Sequence, residues 1–130
     1  MSVQIEVSCG ELCDKITILE IKTARMTDSI KLANVARELE GLNRVWAGLD
    51  LAAVADAVAD TRRALREVNE KLWVIEDDIR QLEREGRFDA DFIALARAVY
   101  QVNDERARLK RRIDELLGSR LVEEKSYAPY

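Results

Sequence analysis

The sequence predicts an all-α protein, an antiparallel four-helix bundle built around one long, coiled-coil-like helical hairpin, in a single domain spanning residues 1–130. Three observations predict it. First, apolar residues recur at 3-4 spacing through Leu51, Val54, Val58, Leu65, Val68, Leu72, Ile75, Ile79 and Leu82, then again through Phe92, Leu95, Val99, Val102, Leu109, Ile113 and Leu116. A 3.5-residue repeat keeps one seam of a helix facing a partner over many turns. Second, charged residues make up 35% of the chain and aromatics only 5%, the balance of long helices with solvated outer faces. Third, the punctuation falls between the runs, with Gly48, Gly86 and Gly118 closing them and Asp28, Asp50 and Asp89 opening them.

In chain order, Val3, Ile5 and Val7 alternate with polar residues and predict a short strand or extended arm. Ser8 with Glu11 three residues on forms a capping box, which opens a first helix over about 9–27. Its apolar residues Leu12, Ile16, Ile18, Leu19, Ile21 and Met26 cover a wide arc, so it is expected to be buried on more than one side. Asp28 and Ser29 cap a second helix over 29–47, with Leu32, Val35, Leu39, Leu42, Trp46 and Leu49 as its seam. Asp50 caps a third over about 51–85, and Asp89 a fourth over 90–117. Short connections make neighbouring helices antiparallel. The tail 119–130 carries Leu121, Val122, Tyr127 and Tyr130, so it either packs back on the bundle, bringing Glu123 or Glu124 to basic residues, or stays free for a partner.

Composition excludes several function classes. Net charge is −4 and the pI about 5.0, which leaves no basic footprint for nucleic acid. No apolar run approaches the roughly 20 residues of a bilayer span, and the first ten residues lack the pattern of a signal peptide, so no membrane insertion and a cytoplasmic location are expected. With no histidine, no serine or cysteine can be paired with an imidazole base, and there is no glycine-rich phosphate loop. Cys9 and Cys13 sit i, i+4, a poor geometry for a disulfide and too few ligands for zinc; they read as two half-buried thiols, with no metal and no cofactor expected.

Two anomalies mark where chemistry can reside. Thr61 interrupts the seam mildly, but Arg106 interrupts it severely, and burying a guanidinium costs several kcal/mol unless it is paired. Folding the hairpin about its turn sets Asn69 near Arg106. Arg106, Asn69 and Asn103 therefore form either a register-fixing polar layer or, with Lys110 and Lys15, a site for a small anion. The second anomaly is the first helix, where Glu11, Asp14, Lys15, Glu20 and Lys22 are threaded through apolar residues. Its carboxylates can hold a divalent cation and its lysines an oxyanion, but ion pairing inside the bundle is the commoner use. Glu67 and Glu70 have the i, i+3 spacing of a magnesium site but no second acidic pair to complete it.

Several stretches together resemble a bacterial family, domain-of-unknown-function family 6165, over essentially the whole chain. They are Val7-Ser8 with Gly10-Glu11-Leu12, the run Asp14 to Lys22, Asn69 with Leu72-Trp73 and Ile75-Glu76-Asp77, Leu95-Ala96-Arg97, Asn103-Asp104, Arg106-Ala107, and Leu117-Gly118-Ser119 with Glu123 to Tyr127. Members usually carry an apolar residue where Cys13 stands, which further disfavours a metal reading. The resemblance implies a small, mostly helical bacterial protein and brings no established activity. It also implies a link to glycosyltransferases of cell-surface polysaccharide pathways, which suits an accessory subunit or a sugar-phosphate binder.

Two functions follow as expectations. The first is an interaction or accessory module that forms a homo-oligomer, most simply a dimer, or docks on a protein partner through the long hairpin. The second is a binder of, or enzyme acting on, a small phosphorylated or carboxylated metabolite held within the bundle.

Overall fold

The computed structural model describes residues Met1–Tyr130 and contains four helices and no strand: α1 (Cys9–Arg25), α2 (Ser29–Ala47), α3 (Ala55–Arg84) and α4 (Ala90–Leu117). Three of the four starts use the capping residues the sequence offers. Ser8 Oγ accepts from Glu11 N–H at 3.1 Å, Asp28 accepts from both Ile30 and Lys31 N–H at 3.0 Å, and Asp89 accepts from Phe92 N–H at 3.3 Å. Only half of the expected capping box forms, because the Glu11 carboxylate turns away to Lys110. Gly86 (φ +67) and Gly118 (φ +59) close α3 and α4 in the left-handed conformation. In each case the next residue reaches back to the last turn, Arg87 N–H to Leu82 O at 2.9 Å and Ser119 N–H to Asp114 O at 2.8 Å.

Two sequence expectations are corrected. The third helix starts at Ala55 rather than Leu51, because Asp50 Oδ1 accepts from Ala52 N–H at 3.2 Å and holds an Asx turn instead of a helix cap. The turn that follows, closed by Val54 N–H to Leu51 O at 3.0 Å, places both Leu51 and Val54 against the core. No strand forms at 3–7: those residues make no backbone–backbone hydrogen bond, and the returning tail meets this arm through the Arg120–Glu6 side-chain pair. An alternating pattern needs a neighbouring ladder to become a strand, and none is supplied.

α3 and α4 form the antiparallel hairpin; α1 lies across both, and α2 packs its backbone against α1 alone. Trp46, near the end of α2, is the side chain that crosses to the core, with the Arg62 guanidinium 5.3 Å from its ring centre. The core is concentrated at the open end of the hairpin, around Leu12, Cys13, Ile16, Leu19 and Ile21 of α1, Val58, Leu65 and Val68 of α3, and Ile113 of α4. Thr61 answers its polar break locally, donating to Ala57 O at 2.7 Å. α1 approaches α4 so closely at Gly10 that a Cβ there would stand 2.2 Å from the Lys110 carbonyl oxygen. No helix is long and apolar enough to cross a membrane.

Candidate functional site

The face of α1 that meets the hairpin carries Asp14, whose side chain is 1% exposed. The wide apolar arc of the helix leaves this carboxylate no route to solvent, so its partners must come from the other helices. Arg106 of α4 supplies a two-pronged pair, Nε to Oδ1 at 2.9 Å and Nη2 to Oδ2 at 2.5 Å. Asn69 of α3 donates Nδ2 to the same Oδ1 at 2.9 Å and to Thr17 Oγ1 at 3.0 Å, while the Thr17 hydroxyl donates to the Asp14 carbonyl at 2.8 Å. Three helices are thereby clamped through one carboxylate. The hydrogen bonds to Asp14 push the Arg106 pKa further up, so the guanidinium stays charged at any working pH. No buried side-chain nitrogen or oxygen lacks a partner, the condition under which a buried pair of this kind is tolerated.

One turn along α4, Lys110 Nζ donates to Glu11 at 2.8 Å and to Glu123 of the tail at 3.0 Å. Burial pulls this ammonium down, but the hydrogen bonds to the two carboxylates outweigh it and leave its pKa above that of an ordinary lysine. The same contact, led by the Lys110 hydrogen bond, draws the Glu123 pKa below the usual range. Behind it, Gly10 N–H donates to Asp114 Oδ1 at 2.6 Å and Cys9 N–H to Ser119 Oγ at 3.2 Å, tying the start of α1 to the end of α4. The Cys13 thiol lies inside the core, where burial pushes its pKa up to about 12.

The structure thus brings Asn69, Asn103 and Arg106 together, with Lys110 beside them, and splits the rest. Lys15 is corrected: it lies on the opposite, exposed side of α1, 3.8 Å from Glu38 of α2, and is no part of this layer. The charged cluster of the first helix likewise divides. Asp14 serves Arg106, Glu11 and Glu123 serve Lys110, Glu20 meets Arg62 at 3.3 Å and Arg66 at 3.4 Å, Glu124 meets Arg111 at 3.2 Å, and Lys22 makes no ion pair. Sequence reasoning missed Arg62 and Arg66 as partners of Glu20; their i, i+4 spacing on α3, level with a carboxylate of α1, was the available signal.

Some polar groups of the layer stay unengaged. Arg106 Nη1 reaches only Asn103 Oδ1, at 3.5 Å, and no partner is present for Asn69 Oδ1 or Asn103 Nδ2. A cleft of about 480 Å³ opens onto these three residues from the α1 side, walled by Ile18, Ile21 and Trp73. Its charges do not favour an anion: Arg80 and Arg106 face Glu76 and Asp77, and Asp14 stands directly behind Arg106.

The second feature is a surface. From Glu70 to Arg112 no residue is buried, although this stretch holds most of the apolar seam. Leu72, Trp73, Ile75, Ile79, Leu82, Phe92, Leu95 and Val102 are only half-buried. Around the turn, Val74 is 43% exposed, Ile93 57% and Phe88 60%, with the Phe88 ring edge-on to Phe92 at 5.2 Å.

A family model described as "Family of unknown function (DUF6165)" matches residues 3–129, so the chain belongs to that family. No curated protein and no solved structure matches it.

Proposed function

We propose that this family member is a helical interaction module that pairs with a second copy of itself through the outer half of the α3–α4 hairpin. The observation that carries the reading is the seam from Leu72 to Val102, apolar at coiled-coil spacing yet buried at no position. The two helices of one hairpin leave this seam half-buried; two hairpins laid against each other cover it further, as a four-helix bundle. A twofold pairing uses one patch on both copies, so the same residues are buried twice without a second specialised surface. The Asp14–Arg106–Asn69 clamp fits this role by fixing the hairpin to α1, which leaves the outer half as the part that projects. In the cell such a module acts as an accessory subunit, for which the glycosyltransferases implied by the family resemblance are the first hetero-partner to test.

Size-exclusion chromatography with light scattering tests the pairing directly. The expected mass is twice the 14.8 kDa of one chain, falling toward one chain on dilution. Ile93→Glu and Val74→Glu on the outer face are expected to yield folded monomer. A monomeric mass for the unmodified chain at every concentration overturns the reading.

A further inference from the structure

All three tyrosines of the chain gather on one side of α4. Tyr100 stands on the helix, while Tyr127 and Tyr130 arrive on the segment that follows Gly118 and runs back along it. That segment is held at three points: Glu123 on Lys110 at 3.0 Å, Glu124 on Arg111 at 3.2 Å, and the Tyr130 hydroxyl donating to Asp104 at 2.5 Å. The Tyr130 ring also meets Tyr100 edge-on at 5.1 Å. Because the middle of the segment stands off the helix, it roofs a cavity of about 630 Å³ lined chiefly by Val99, Tyr100, Asn103, Lys125, Tyr127 and Tyr130. This lies within the size range of small-molecule pockets, and aromatic walls with a few polar groups are their usual lining.

The cavity adjoins a smaller space of about 160 Å³ through two shared residues, Asn103 and Lys125. Arg106, Ala107, Lys110 and Glu123 complete the lining of the smaller space. Its chemistry is cationic. Arg106 and Lys110 are each balanced from behind by Asp14 and Glu11, while Lys125 reaches no carboxylate closer than Glu123, at 4.0 Å. Glu123 is the one carboxylate lining this smaller space, and it comes from the C-terminal segment rather than from the bundle; Asp104, in the larger cavity, is taken up by the Tyr130 hydroxyl. Ala107, lacking a longer side chain, leaves the room between them.

We infer that the space between α4 and the C-terminal segment binds a small molecule that joins a planar ring to an oxyanion, phosphate or carboxylate. The ring is held among Tyr100, Tyr127 and Tyr130. The oxyanion displaces Glu123 and takes up Lys125, Lys110, the Arg106 Nη1 that otherwise reaches only Asn103 Oδ1, and Asn103 Nδ2. Glu123 in this arrangement is an internal competitor that the ligand must replace. Although Val99 and Tyr100 belong to the outer half of the hairpin, Lys125, Tyr127 and Glu123 lie on the C-terminal segment, so their variants test this site separately from self-association.

Calorimetric titration of the full chain with phenyl phosphate tests the site, with benzoate as a second arm and with inorganic phosphate and phenol as single-feature controls. A dissociation constant on the order of 1 mM is expected for at least one ring-bearing oxyanion, with each control about tenfold weaker. Lys125→Ala and Tyr127→Ala, both on the exposed segment, are expected to weaken binding about tenfold, and Glu123→Gln to tighten it severalfold, all three with an unchanged melting temperature within about 2 °C. Saturable binding by phenyl phosphate or benzoate that is weakened about tenfold in Lys125→Ala supports the proposal. It is overturned by the absence of saturable heat with both ring-bearing probes, by inorganic phosphate or phenol binding as tightly as they do, or by binding indifferent to Lys125 and Glu123.

Discussion

The two halves of the α3–α4 hairpin carry the same apolar spacing and end in different surroundings. Near its open end, Leu65 and Ile113 are fully buried because α1 lies over the seam, and Asp14 of α1 converts the break at Arg106 into a three-helix clamp. Toward the turn, no seam residue from Leu72 to Val102 is buried. The heptad pattern therefore fixes which face is apolar but not how many layers cover it. A polar residue at the seam has opposite meanings in the two places. In the outer half it would be solvated, whereas Arg106, 30% exposed, lies against α1, where the buried carboxylate of Asp14 meets it.

The largest expected effect breaks the comparison at the clamp. Asp14→Ala removes the partner of Arg106 and of Asn69 together, leaving a half-buried guanidinium facing an apolar helix. A loss of about 3–5 kcal/mol in urea unfolding is expected, whereas the double replacement Asp14→Leu with Arg106→Met recovers most of it because neither partner is stranded. A loss below 1 kcal/mol for Asp14→Ala would mean that α1 can lift from the hairpin at little cost.

The seam itself is the next test. Leu65→Ala, at a fully buried position in the inner half, is expected to lose about 2–5 kcal/mol. Leu82→Ala, at a half-covered position in the outer half, is expected to lose about 1 kcal/mol when the chain is dilute and more when it is concentrated, since pairing buries that leucine a second time. Equal losses at both positions, independent of concentration, would erase the distinction between the halves.

Two glycines sharpen it further. Gly10→Ala must push the start of α1 away from the Lys110 carbonyl, only 2.2 Å from the new Cβ, and strain the Gly10–Asp114 hydrogen bond; about 2 kcal/mol is expected from thermal or urea unfolding. Gly86→Ala meets nothing within 4 Å and is penalised only by its positive φ, by about 1 kcal/mol. The inner glycine is a matter of contact, the outer one of backbone conformation.

How much of this was legible depends on whether the signal was local. Ser8, Asp28, Asp89, Gly86 and Gly118 act on residues within one turn, and the structure uses each at its expected place. Asp50 did not decide itself, because an aspartate that caps a helix and one that makes an Asx turn present the same chemistry in sequence. The anomaly of Arg106 was visible from the seam, but its partner was not. Asp14 shares its helix with Glu11 and Glu20, and only the rotation of α1 on the hairpin selects it. Lys15 was misplaced for the same reason, one position further round that helix. The hold of the tail on α4 depends on the left-handed turn at Gly118 reversing the chain, so no periodicity announces that Glu123 reaches back 13 residues to Lys110.

That tie is the exposed counterpart of the clamp, and pH separates the two. Glu123 has its pKa drawn down from 4.5 by Lys110, so its contribution is fully present above the ordinary glutamate value and disappears as pH falls through the lower folded value. Lys110 has its pKa raised above 10.5, so the same pair persists until the solution is more alkaline than that. Between these limits the tail is held at constant strength. Backbone amide shifts of residues 121–127 are therefore expected to titrate below pH 4.5, and Lys110→Met is expected to return that transition to the ordinary glutamate range. Because Glu123 is 52% exposed, the global stability lost with it is under about 1 kcal/mol, far less than the loss at Asp14. A tail whose amides titrate identically with and without Lys110 would show that the tyrosine contacts, rather than the ion pair, hold it on α4.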